Sequence, residues 1–190
     1  MGVISCEPDS PTNTSHQIQD RSYAAVKQIP ANVVGDGVRT IRELVDIKNK
    51  DPRRVEPGIK ESVLCPLVIN EVTNALLKQQ GYTVSSIPSA GEVVFVQHDP
   101  FLKWGGDLEE VTPLIHTDNI LLMENVARFF DLSLGGIDFI APDISRSWKE
   151  QACAVLELNS NPCIELHQIV TAGTPQHVGR ALVVWIKRTY

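Results

Sequence analysis

GGIDFIAPDISRSWKEQACAVLELNSNP, residues 135–162, is the stretch on which the reading of this chain turns. Its two ends are short apolar runs bounded by glycine, proline and asparagine, which predicts strands over 134–141 and 152–159. The connection between them holds Pro142-Asp143 and Trp148 and is short enough to predict an antiparallel hairpin. Asp138 sits inside the first strand between Ile137 and Phe139. Glu157 and Asn159 sit in the second, two positions apart, so both side chains leave one face of that strand. Asp138 can come opposite them, and two carboxylates with an amide oxygen would then share one patch. Such a patch suits a hard divalent cation such as Mg²⁺, because the carboxylates otherwise repel each other. Spacing alone leaves a second reading open, in which both acids lie on the solvent face of an amphipathic hairpin.

Outward from this stretch, helices and strands alternate irregularly. YAAVKQI, from Tyr23, suits a strand, followed by Pro30 and a turn at Gly35-Asp36-Gly37. That turn lacks a following Lys-Ser/Thr and is not read as a phosphate cradle. Thr40 and Glu43 form a T-x-x-E capping box ahead of a helical stripe at Ile41, Leu44 and Val45. A second stripe, Leu67, Val68, Val72, Leu76 and Leu77, stops at Gly81. EVVFVQH, 92–98, reads as a strand. A third helix is expected with Asp118 as its cap and Leu121, Leu122, Val126, Phe129 and Phe130 on its inner face. A last helix is expected over 175–188. The fold class is α+β, an antiparallel sheet with helices on one face. Residues 1–21, rich in Ser, Thr, Pro and Gln, are expected to be loosely packed, leaving 22–190 as the folded domain.

Composition narrows the function classes. The 190 residues carry a formal charge of −6 with Lys and Arg scattered, so no nucleic-acid partner is expected. Cys6, Cys65, Cys153 and Cys163 include no C-x-x-C pair, which argues against a zinc ribbon and for free thiols. No apolar run reaches the length of a membrane span, and the first residues lack a secretory pattern, so a cytoplasmic protein without a membrane partner is expected.

The chain also resembles a known family. GGIDFIAPDIS followed by VLELNSNPCIELH is similar to the C-terminal part of the ATP-grasp domain in cyanophycin-synthetase-like ligases and in the glutathione-synthetase half of bifunctional glutathione enzymes. VKQIPANVVGDGVRTIRELVDIKNKDPRR (26–54), QQGYTVSSIPSAGEVVFV (79–96) and GGDLEEVT (105–112) fall in the same order as in those proteins. The resemblance implies ATP-dependent joining of an amino-acid or peptide carboxylate to an amine through an acyl phosphate. It makes Asp138, Glu157 and Asn159 ligands of Mg²⁺, with two ions bridging the ATP phosphates. Lys27 is a candidate for phosphate as partial compensation for a missing arginine, and Asn161 either faces phosphate or serves the turn before Pro162. His167 resembles a histidine near the relatives' active site, with a structural role as the alternative, and Gly105 and Gly106 are further substrate candidates. No covalent catalytic residue is implied.

Two departures from the family pattern stand out. The family carries an earlier lobe with a glycine-rich phosphate loop, two ATP-contacting lysines and an adenine-binding hinge, and residues 1–22 resemble none of these. A truncated or divergent ligase is therefore expected, completed by a homo-oligomer or by another chain that supplies the lobe. Arginines that the resemblance expects at Gln28 and Gln97 are replaced by an uncharged side chain that cannot clamp a phosphate. Two alternatives follow: a non-catalytic Mg²⁺–nucleotide or amino-acid binding module, or an interaction subunit.

Overall fold

The computed structural model describes residues 2–6, 23–56 and 64–189, which divide into two compact units, 1–27 with 108–190 and 28–107. The expected α+β architecture is present in both.

The first unit holds a five-stranded sheet in the order β5-β2-β1-β6-β7, formed by β1 Gly2–Cys6, β2 Tyr23–Ile29, β5 Asp107–Glu110, β6 Gly135–Ile140 and β7 Ala154–Asn159. β1 pairs antiparallel with β2 and with β6, and β6 pairs antiparallel with β7. Alternation along β2 and β6 sends Ala25, Ile137 and Phe139 to one face. There they form a core with Val111 and with Met123 of helix α3, Thr117–Phe129. Burying a side chain the size of Phe139 or Met123 stabilises by about 1.5–3 kcal/mol. The last helix, α4 at Val178–Thr189, lies where the sequence predicts it. Among the described residues no helix is long and apolar enough to cross a membrane.

The second unit packs helices α1, Ile41–Lys48, and α2, Glu71–Gln79, against a two-stranded sheet of β3, Asn32–Val34, and β4, Val93–Phe95. Its core is Ala31, Val33, Ile41, Val45, Leu67, Leu77, Val94 and Val96. The capping box predicted at Thr40 is present: Glu43 N–H donates to the Thr40 hydroxyl, and Thr40 N–H donates to the Glu43 carboxylate at 2.8 Å.

Several expectations are corrected. Gly2–Cys6 is a strand in the middle of the sheet, whereas the composition of residues 1–21 predicted loose chain; 7–21 lie outside the described residues. The second helix begins at Glu71 because Asn70 caps it, accepting from Thr73 N–H, so Leu67 and Val68 precede the helix. The strand predicted over 92–98 shortens to Val93–Phe95. The third helix is capped by His116, whose Nδ1 accepts from Asp118 N–H, placing Asp118 in the first turn. Its buried stripe is Asn119, Met123 and Ala127, while Leu121, Phe129 and Phe130 are exposed. The cause is Asn119. Its buried amide donates to the carbonyls of Ile144 and Arg146 and accepts from Trp148 N–H, each at 2.8 Å. A fully satisfied buried amide of this kind fixes the helix rotation, and apolar count alone does not see it.

Candidate metal and nucleotide face

The hairpin of β6 and β7 brings the three predicted ligands together. Asp138 pairs with Glu157 and Gly136 with Asn159, so Asp138, Glu157 and Asn159 share the sheet face opposite Ile137, Phe139 and α3. On the other side of β6, Val3 of β1 is in register with Asp138 and with Val26. Gly136 belongs to this face. A Cβ there would stand 2.7 Å from Pro162 Cβ and 3.8 Å from Asn159 Cβ. The glycine thus lets the chain after β7 fold down beside the acid pair. Between Asp138 and Phe139 the register slips by one: Phe139 opposes Val155, and Leu156 is the extra residue on β7.

Burial, followed by the facing Glu157 carboxylate, holds the Asp138 carboxyl above the usual aspartate range. Glu157 is exposed and Asn159 partly buried. A carboxylate so placed gains most from an external cation, since a cation answers both the burial and the repulsion. Two carboxylates and an amide oxygen fit Mg²⁺, which keeps several waters and needs few protein ligands. Among the described residues no three His, Cys, Asp or Glu side chains form a group that could hold a metal ion.

The remaining candidates are dispersed. Asn161 is exposed just beyond β7. His167 closes the 3₁₀ turn Ile164–His167, fully buried, and burial lowers its pKa to about 4 against a smaller opposing pull from Glu110. Lys27 does not join the acids. Its register with Gly2 and Phe139 puts it on the opposite sheet face, 3.7 Å from Glu109. Gly105 and Gly106 belong to the second unit, and local packing accounts for both. Gly105 has φ 88 and ends the 3₁₀ turn Leu102–Trp104, where a Cβ would meet Leu67 Cα at 2.6 Å. A Cβ on Gly106 would lie 2.8 Å from Pro100 O. Gln97 is buried too, its amide donating to the Thr73 hydroxyl at 3.2 Å.

One feature of the second unit escaped the sequence. Asp107 accepts from Lys48 Nζ at 2.5 Å, from Asn32 Nδ2 at 3.0 Å and from the Arg54 guanidinium. Arg54, with a side chain only 1% exposed, also donates to the carbonyls of Cys65 at 2.9 Å and Gly105 at 3.1 Å. Burial pushes the Lys48 ammonium below its ordinary pKa, and the Asp107 carboxylate opposes that shift. The partners lie 59 and 53 residues from Asp107 in sequence, so no local pattern signals them.

Comparison with known proteins follows the same line. No family model matches the chain. It is 34% identical over 161 residues to cyanophycin synthetase of Synechocystis sp., covering 85% of this chain and 18% of that protein. It is 33% identical over 154 residues to the glutathione biosynthesis bifunctional protein GshAB of Clostridium perfringens, covering 81% of this chain and 20% of that one. Among solved structures, a bifunctional glutathione synthetase from Pasteurella multocida superposes with a TM-score of 0.78 at 26% identity, over 87% of this chain and 22% of that one. The chain therefore spans about a fifth of the length of the relatives it matches. By sequence and by fold, it belongs to the ATP-grasp ligase superfamily, among the relatives of cyanophycin synthetase and the bifunctional glutathione synthetases.

Proposed function

We propose that this chain supplies the Mg²⁺–nucleotide face of an ATP-dependent carboxylate–amine ligase acting on an amino acid or peptide in the cytoplasm. The observation that carries the reading is the cross-strand pair Asp138–Glu157 with Asn159 on the same face. Asp138 and Glu157 would hold the ion, with Asn159 adding a neutral oxygen. The chemistry that Mg²⁺ would supply there is neutralisation of the charge that develops during phosphoryl transfer. The protein's part is positioning and electrostatics: β6 and β7 fix the two carboxylates in register, and Pro162 seats the following chain over Gly136. In this reading Asn161 faces phosphate from the exposed end of β7.

Calorimetric titration with ATP, with and without Mg²⁺, tests the assignment. Mg²⁺-dependent binding should disappear in Glu157→Ala; binding that is unchanged would remove the metal assignment. ADP release in the presence of mixed amino acids and dipeptides tests ligation itself.

A second reading, a nucleotide-binding module without ligase chemistry, is favoured by Gln97. At a position where the resemblance expects an arginine, the side chain is turned inward to Thr73 and carries no charge. Mg²⁺-dependent ATP binding without ADP release would select this reading.

A further inference from the structure

A pocket of about 190 Å³ opens on the sheet face that carries Lys27, away from Asp138, Glu157 and Asn159. Its floor is Ala25, Val111 and Phe139, and the chain after β6 forms its far wall through Ala141, Pro142 and Asp143. Leu114, 55% exposed, adds an apolar side chain to the lining.

Three charged groups line this pocket of mixed polarity. Lys27 Nζ and Glu109 Oε2 stand 3.7 Å apart, beyond the length of a closed charge-assisted hydrogen bond. Their charges are therefore paired loosely and remain open to a ligand. Asp143 is the third. One of its oxygens accepts from Ser145 N–H at 2.9 Å and from the Ser145 hydroxyl at 2.6 Å, which leaves the other for a ligand. The wall that carries it is fixed in advance: Asp143 N–H donates to Gln151 Oε1 at 3.0 Å, and Gln151 Nε2 donates back to Asp143 O at 2.7 Å. A concave apolar site with a few convergent polar groups, already ordered, is the arrangement that binds small ligands with little reorganisation.

We propose that this pocket binds a small zwitterion bearing an apolar side chain, an α-amino acid of about the size of leucine. Its carboxylate meets Lys27, its ammonium sits between Glu109 and Asp143, and its side chain rests on Phe139 under Leu114. A ligand with one charge alone would meet either Lys27 or the two carboxylates, and leave the other side with no more than the loose Lys27–Glu109 pairing. The site needs no metal and does not depend on the ligase reading.

Nuclear magnetic resonance titration of the full chain in EDTA tests it, with L-leucine, 4-methylpentanoate (no ammonium) and 3-methylbutylamine (no carboxylate) as probes. Leucine should give saturable shifts at Ala25, Val111 and Ala141, and each half-ligand should bind about tenfold more weakly for want of one charged contact. Lys27→Gln and Glu109→Gln, both at half-exposed positions, should each weaken leucine about tenfold while the rest of the spectrum stays unchanged. Ala141→Leu, which fills the wall, should abolish binding. Absence of saturable shifts with leucine, equal binding of 4-methylpentanoate, a strict requirement for Mg²⁺, or indifference to both charge substitutions would each overturn the proposal.

Discussion

Two aspartates, one in each unit, are built in opposite ways. Asp107 is enclosed by its own counter-ions, Lys48 and Arg54, and by the Asn32 amide. Asp138 is partly buried opposite another carboxylate, and among the described residues no Lys, Arg or His side chain pairs with it. The first arrangement completes its charge balance inside the fold and serves to hold chain segments together. The second sets two like charges opposite each other on a fixed strand pair, a repulsion that a bound cation would relieve. A carboxylate whose neighbours add to its charge, as Glu157 does for Asp138, is the better candidate for a ligand site.

The comparison breaks most sharply at Arg54. Arg54→Ala should destabilise the second unit by about 3–5 kcal/mol, because it breaks a buried ion pair, leaving Asp107 with Lys48 alone as counter-ion, and frees two carbonyls. Urea denaturation measures this, and a loss near zero would mean that Asp107 is not held as described. On the other unit, pH is the sharper probe. Burial holds the His167 pKa near 4, below its ordinary 6.5, so the unfolded chain binds its proton first. Stability should therefore fall as pH drops from about 6.5 to about 4, by up to roughly 3 kcal/mol, and His167→Gln should flatten that slope. Gly136→Ala should cost about 1–3 kcal/mol by overpacking against Pro162, and should weaken Mg²⁺-dependent ATP binding by moving the chain beside Asn159.

The smallest effect carries the opposite sign. Asp138→Asn, measured in EDTA, should stabilise the chain by a few tenths to about 1 kcal/mol, the scale of a directly opposed like-charge pair. The raised Asp138 pKa means that the native state keeps its proton longer than the unfolded chain. The penalty should accordingly grow as pH rises from the ordinary aspartate range through the raised value, then stay constant. A stabilisation that does not change across that window would show that burial and Glu157 do not set the charge of Asp138.

How much of this was legible follows from the range of each signal. The hairpin at 134–141 and 152–159 and the Thr40 cap are written within a few residues, and their spacing states them. The sharing of one face by Asp138, Glu157 and Asn159 needed only the period of a strand. What failed was long-range. The rotation of α3 depends on Asn119 reaching Ile144, Arg146 and Trp148, and apolar counting instead turned Phe129 and Phe130 inward. The register of Lys27 with Gly2 and Phe139, which sets its sheet face opposite Asp138, likewise depends on strands far apart in the chain. Gly2–Cys6 carried no strand pattern of its own; its partners β2 and β6 lie far along the chain. Asp107 looked like one acid in an acidic segment because its cations come from more than 50 residues away.

The extra residue at Leu156 has a consequence for how this hairpin can vary. It separates the outer pairing, Ile140 with Ala154 and Phe139 with Val155, from the inner pairing that sets Asp138 against Glu157. A change in the length of the loop from Ala141 to Cys153 can therefore be absorbed at Leu156, by gaining or losing the slack of one residue. The acid pair is insulated from its own connecting loop. That loop, with the pocket wall it forms, is free to be rebuilt in length and composition while Asp138 and Glu157 stay in register.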